Sequence, residues 1–413
     1  MSDIKQTQEL IQKMNKVSAI IPENLKKLLS GCDKVYYRGK NLKSDNLIDA
    51  TSTIIKKYIK DKKNFYSLSS EVHKKKYSTY YNYYIDFLVN YNIIKISQRH
   101  LNGSHCTKYS LCEETKNSKF ENIFLTDKRL VEKYKKLYSK KKIREKNNKY
   151  ISERVVNYVI DNLSKVQLSY SDAKEYLEKI QNNLTKCQYH KNLSSINNLK
   201  NYFTYISFDN YGRCHTNFTT LKSEIREQFL LINGQKTKTM DISNSQPTFL
   251  TVLLSKNKKK IDSKEYELFK NLVINSELYK YIYDNRLIDE IKGDPFNSIP
   301  KIKKMVYVVL FGRNRTKTPN KQNKLFRCLF PNIFQFIINY KNNSKDKHKA
   351  LAYYLQRSES NFLFNKICEE IIDKHPNVPF FTVHDSITVA EKEYGKIKKI
   401  FDKHIKILHK EFK

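Results

Sequence analysis

One short stretch constrains this chain more than any other. The apolar, β-branched runs Phe380-Phe381-Thr382-Val383 and Ile387-Thr388-Val389 flank His384-Asp385-Ser386. Runs of this kind favour strand, and so short a gap leaves room only for a hairpin with Asp385 at its tip. A second strand-like run, 237–242, carries Asp241. Pro247 suits the first turn of a following helix through Leu250 and Leu254, with Ser243 or Ser245 as its cap. Residues 301–311 read as helix. Residues 361–374 read as an amphipathic helix, with Phe364, Ile367, Cys368 and Ile371 on one face. Strands alternating with helices make residues 201–413 an α+β half.

The front half divides differently. Residues 1–60 are predicted helical, from an apolar stripe at Ile4, Leu10, Ile11 and Met14. In 61–112, Ser69 or Ser70 caps a short helix through Lys74-Lys75-Lys76, and a second helix begins near Ser78–Thr79 and buries Tyr81, Tyr84, Ile85 and Leu88. Ile93-Ile94-Lys95-Ile96 and Lys108-Tyr109-Ser110-Leu111 read as strands around the Asn102-Gly103 turn. Helix, helix, hairpin is the order of a winged helix-turn-helix, which contacts nucleic acid through its second helix and wing. Residues 113–200 read as helical and basic, with Lys140, Lys141, Lys142, Arg144, Lys146 and Lys149 clustered.

Charge gives that basic character a direction. Lys and Arg number 78 against 42 Asp and Glu, a formal charge of +36. Such a surface attracts phosphate backbones by counterion release. Part of the lysine count reflects A/T-rich coding, since Asn, Ile and Tyr are abundant too. No apolar run approaches the ~20 residues of a membrane span. The seven scattered cysteines suit reduced thiols in a cytoplasmic compartment. Cys187-x-x-His190 has half of a metal-binding spacing, with no second half to complete it.

Asp241 and Asp385 are the residues with chemical promise. Phosphoryl transfer to a 3′-hydroxyl uses two divalent ions about 4 Å apart, bridged by carboxylates on rigid backbone. The string Asp241-Ile-Ser243-Asn-Ser-Gln246-Pro resembles motif A of the family A (DNA polymerase I-like) polymerases, Asp-x-Ser-x-x-Glu. Val383-His384-Asp385-Ser386 resembles motif C, which is His-Asp-Glu in those enzymes and His-Asp-Ser in the related single-subunit phage-type RNA polymerases. Lys303, Tyr307, Phe311 and Gly312 fall at the spacings of motif B between them. Gly212-Arg213 and Arg226-x-x-Phe229 resemble elements that precede motif A, and Leu355-Gln356-x-Ser358 resembles the helix start that follows motif B. The likeness spans residues ~205–395.

The resemblance implies a right-hand polymerase fold, with palm and fingers in 201–413 and a reduced thumb in 113–200. It implies two Mg²⁺ ions, or Mn²⁺ in their place, on Asp241 and Asp385. Lys303 would offset triphosphate charge. Tyr307 and Phe311 would stack on the incoming base, with Gly312 beside them. Arg213, Arg226 and Gln356 would contact the primer–template, and His384 the primer terminus. Departures are Ile299 where an arginine is usual, Phe311-Gly312 for Tyr-Gly, Gln246 for glutamate and Ser386 for glutamate. The bulk of Gln246 and the missing hydroxyl of Phe311 favour dNTPs over rNTPs, while Ser386 leans the other way. The expectation is a primer-extending DNA polymerase without a proofreading exonuclease. The alternatives are a small RNA polymerase or primase on the same palm, or a non-catalytic replication initiator.

Overall fold

The computed structural model describes residues 16–61, 65–67, 70–77, 80–98, 107–135, 151–200, 206–209, 211–286, 296–313 and 321–412. The stripe at Ile4 to Met14, Ser69, Ser78–Thr79, the Asn102-Gly103 turn, Cys106 and the cluster Lys140 to Lys149 lie outside them. The described residues mix helix and sheet. They form two units, one from residues up to 145, 160–207 and 216–236, the other from 146–159, 208–215 and 237–413. The chain passes between the units repeatedly, which no division into consecutive segments expresses.

The first unit begins with a strand rather than helix. β1 (Val17–Pro22) is buried along its whole length, as expected of a short continuous apolar run. It pairs antiparallel with β5 (Phe120–Leu125), from Val17 opposite Leu125 to Pro22 opposite Phe120. A short helix, Glu23–Leu29, and a hairpin of Lys34–Tyr37 with Lys40–Lys43 follow. Among the described residues, the helical expectation for 1–60 therefore holds for Glu23–Leu29 and for α1 (Ser44–Asp61) and fails at β1 and the hairpin, and that for 113–200 misses β5 and the strand Val166–Leu168. α1 buries Leu47, Ala50, Ile54 and Ile55 at helical spacing. After it come β2 (Tyr66–Ser67), α2 (Ser70–Tyr77), α3 (Tyr81–Asn90), β3 (Ile94–Gln98) and β4 (Lys108–Leu111). The sheet order is β2-β4-β3, and the helix–helix–hairpin order read from the sequence is present. α3 buries Tyr84, Ile85, Phe87 and Leu88.

The second unit holds the α+β arrangement. β6 (Gln235–Asp241) is followed by α4 (Ser245–Ser255), α5 (Ile299–Phe311), α6 (Ala350–Phe362) and the hairpin of β7 (Phe380–Val383) and β8 (Ser386–Ala390). α6 runs on through a π-helical turn, Leu363–Cys368, into Glu369–Lys374. Gln356 is therefore within a helix, not at its start. Every residue of β7 and β8 is buried, and Phe380 and Phe381 each contribute about 2–3 kcal/mol by leaving water. No described helix is long and apolar enough to cross a membrane.

Candidate active site

The β-ladder brings the two aspartates together. β6 and β8 run antiparallel with Met240 opposite Ile387 and Asp241 opposite Ser386. Val383 pairs with Ser386 across the hairpin, leaving His384 and Asp385 as its turn. The end of β6 thus lies beside the hairpin tip, and the Ile242 amide donates to the Asp385 carbonyl at 3.4 Å. His384 is exposed and holds φ at +55°, a left-handed conformation uncommon for a residue with a Cβ. The Ser386 hydroxyl donates to the Val383 carbonyl at 2.8 Å and closes the turn.

Both carboxylates titrate high. Burial raises Asp385, and the charge of Asp241 adds to this, bringing it to about 6. Asp241 still reaches solvent, yet desolvation by the surrounding protein raises it, with Lys303 opposing and Glu359 adding. Lys303 is exposed, one turn before Tyr307 on α5. The rings of Tyr307 and Phe311 stack at 5.6 Å and 19°. Burial raises the Tyr307 phenol, and Asp385 and Glu359 raise it further.

Behind the aspartates is a residue the motifs did not flag. Glu359 is 1% exposed. Its Oε1 accepts from Arg213 Nε at 3.1 Å and Nη2 at 2.8 Å. Its Oε2 accepts from the Ser245 hydroxyl at 2.6 Å and from the Gln246 amide. Burial raises Glu359, Arg213 lowers it and Asp385 raises it again. One signal was available in the sequence: with Leu355 and Phe362, Glu359 occupies a core stripe of α6, where a carboxylate needs a reason to be.

This hub changes how several expected residues are used. Gln246 is buried, its amide committed to Glu359. Arg213 is held toward the same carboxylate by a tight loop. Asp209 Oδ1 accepts from the Tyr211 and Arg213 amides at 2.9 and 3.0 Å. Gly212 between them has φ +84°, and a Cβ there would meet Ser360 Cβ at 3.1 Å. Asn244, not Ser243 or Ser245, precedes α4; it is left-handed at φ +50° and makes no side-chain cap. Gln356 is half-buried on α6. Gly312 ends α5, where a Cβ would fall 2.4 Å from the Val308 carbonyl oxygen. Lys341, also unflagged, is 1% exposed and caps that end by donating to the carbonyls of Val309 at 2.7 Å and Gly312 at 3.1 Å; burial lowers it to about 8.

Two residues fall elsewhere. Arg226 belongs to the first unit, where its guanidinium donates to the Leu221 carbonyl. His190 is buried in that unit with its Nδ1 against the Asn122 amide at 2.9 Å. Among the described residues no group of three or more His, Cys, Asp or Glu side chains is placed to hold a metal ion.

The second unit is thus a helix-and-sheet body with a paired-aspartate site at one end of its ladder. No family model matches the chain, and no curated protein matches it.

Proposed function

We propose that this protein extends the 3′-hydroxyl of a primer on a nucleic-acid template, with deoxynucleotides as substrates. The observation that carries the proposal is the β6–β8 register: it sets Asp241 beside Asp385 although the two lie in distant parts of the sequence. Burial raises Asp385 to about 6 and the charge of Asp241 adds to it, as for a desolvated carboxylate beside a second one. Such oxygen donors fit Mg²⁺ or Mn²⁺, which bind through one or two carboxylates together with substrate phosphates. Bound there, the ions would activate the primer hydroxyl and neutralise the leaving pyrophosphate.

The remaining roles belong to the chain's own side chains. Lys303, exposed and electrostatically coupled to Asp241, supplies a mobile cation for the triphosphate. The stacked Tyr307 and Phe311 rings offer a platform for the incoming base. Glu359 fixes Arg213 and the first turn of α4 behind the aspartates. Phe311, lacking a hydroxyl, leaves the ribose 2′ position without a partner, which favours dNTPs. Primer extension with Mg²⁺ tests the reading: incorporation of dNTPs over rNTPs by at least tenfold is expected. Preferential use of rNTPs would instead favour an RNA polymerase or primase.

A further inference from the structure

The first unit carries a basic cleft of about 510 Å³ on α1, α2 and the hairpin that precedes them. Lys40, Lys43, Lys76, Arg129 and Lys133 line it against a single acid, Asp127. Five cations to one acid far exceeds the 78 to 42 of the whole chain, so composition alone does not account for the cluster. Two of the cations are answered. Lys43 pairs with Asp127, and Lys76 pairs with the buried Asp49 at 3.1 Å. Among the described residues, Lys40, Arg129 and Lys133 have no carboxylate in ion-pair contact. Lys133 donates to the Lys76 carbonyl, and burial lowers it; Asp127 opposes this, and Lys43 and Arg129 add to it. Three cations around one cleft without a carboxylate partner offer a site to an anion.

Tyr80 gives that anion an identity. It lines the same cleft, directly before α3, and is 44% exposed. The Lys40 ammonium lies 5.7 Å from its ring centroid. An exposed ring among uncompensated cations matches the pairing by which proteins hold unstacked bases and their phosphates. The volume is that of a ligand pocket rather than of an extended duplex face.

We propose that this cleft binds single-stranded nucleic acid, with phosphates on Lys40, Arg129 and Lys133 and one base stacked on Tyr80. The site lies wholly in the first unit and does not depend on nucleotidyl transfer by the second. The test is fluorescence anisotropy of a short labelled oligo(dT) on the full chain, in EDTA and without nucleotide. Arg129→Gln and Lys40→Gln are each expected to weaken binding about 3–10-fold and to lower the salt slope by about 0.7. Tyr80→Ala is expected to weaken it about 5–100-fold with the slope unchanged. Arg129 and Tyr80 are exposed and Lys40 is half-buried, and an unchanged melting temperature checks that each variant is folded. Wild-type affinity and slope in the Lys40→Gln/Arg129→Gln double variant would overturn the proposal. So would equal losses with a duplex of the same length, which would point to α3 and the hairpin after it. Displacement of the oligomer by tripolyphosphate at matching phosphate concentration would assign the cleft to free polyphosphate instead.

Discussion

At the scale of single residues, the site is governed by carboxylates placed closer together than they would choose. Asp385 titrates near 6 when folded, against about 3.9 unfolded. A raised carboxyl costs stability above its folded value, and the cost is relieved as pH falls from about 6 to 4. Asp385→Asn is therefore expected to stabilise the protein in EDTA by about 1–2 kcal/mol at pH 8 and by little at pH 4; urea unfolding at the two pH values reads the difference. Glu359 is raised by burial as well, but it is the ion-pair partner of Arg213. Glu359→Ala strands the Arg213 guanidinium and is expected to cost about 3–5 kcal/mol. Glu359→Leu combined with Arg213→Met should recover much of that loss, because both charges leave together. The sequence shows Asp241, Asp385, Lys303 and Tyr307 through their spacing. It conceals Glu359, whose partners come from two segments distant in sequence, and so conceals that Arg213, Ser245 and Gln246 face inward.

At the scale of elements, the legible parts are those whose pattern is local. The β7–β8 hairpin, α4, α5 and the α2–α3–β3–β4 series each announce themselves by periodicity or a turn. β1 and β5 do not, since a run such as Val17–Pro22 satisfies strand and buried helix equally until its partner is known. α4 lacks the expected serine cap, and the Ser245 hydroxyl is given to Glu359 instead. The 209–213 loop is the element on which the hub depends most. Gly212→Ala adds a left-handed penalty and a contact with Ser360. It should cost about 1–3 kcal/mol and weaken primer extension with the loss of the Arg213 position. An unchanged melting temperature and rate would show that the loop does not set that arginine.

At the scale of the whole molecule, the two units should answer acid in opposite ways. In the first, burial lowers both His73 and His190 to about 4, against about 6.5 unfolded. Their contribution is complete above 6.5 and is lost as pH falls toward 4, up to about 3 kcal/mol each. Over the same range Asp385 relaxes in the second. Hydrogen exchange corrected for intrinsic rate should show α1 and α2 losing protection between pH 7 and 4.5 while β7 and β8 keep or gain it; the reverse order would contradict these assignments. The interleaving of the units was not legible, because nothing local marks where a chain leaves one body for another. The paired aspartates remain the centre of the account, and single-turnover primer extension with Mg²⁺ tests them most directly. Wild type should extend a templated primer with dNTPs. Asp241→Ala and Asp385→Ala should each lose at least a hundredfold in rate while remaining folded. Extension by either variant at the wild-type rate, or none by wild type on any primed template, would contradict the account.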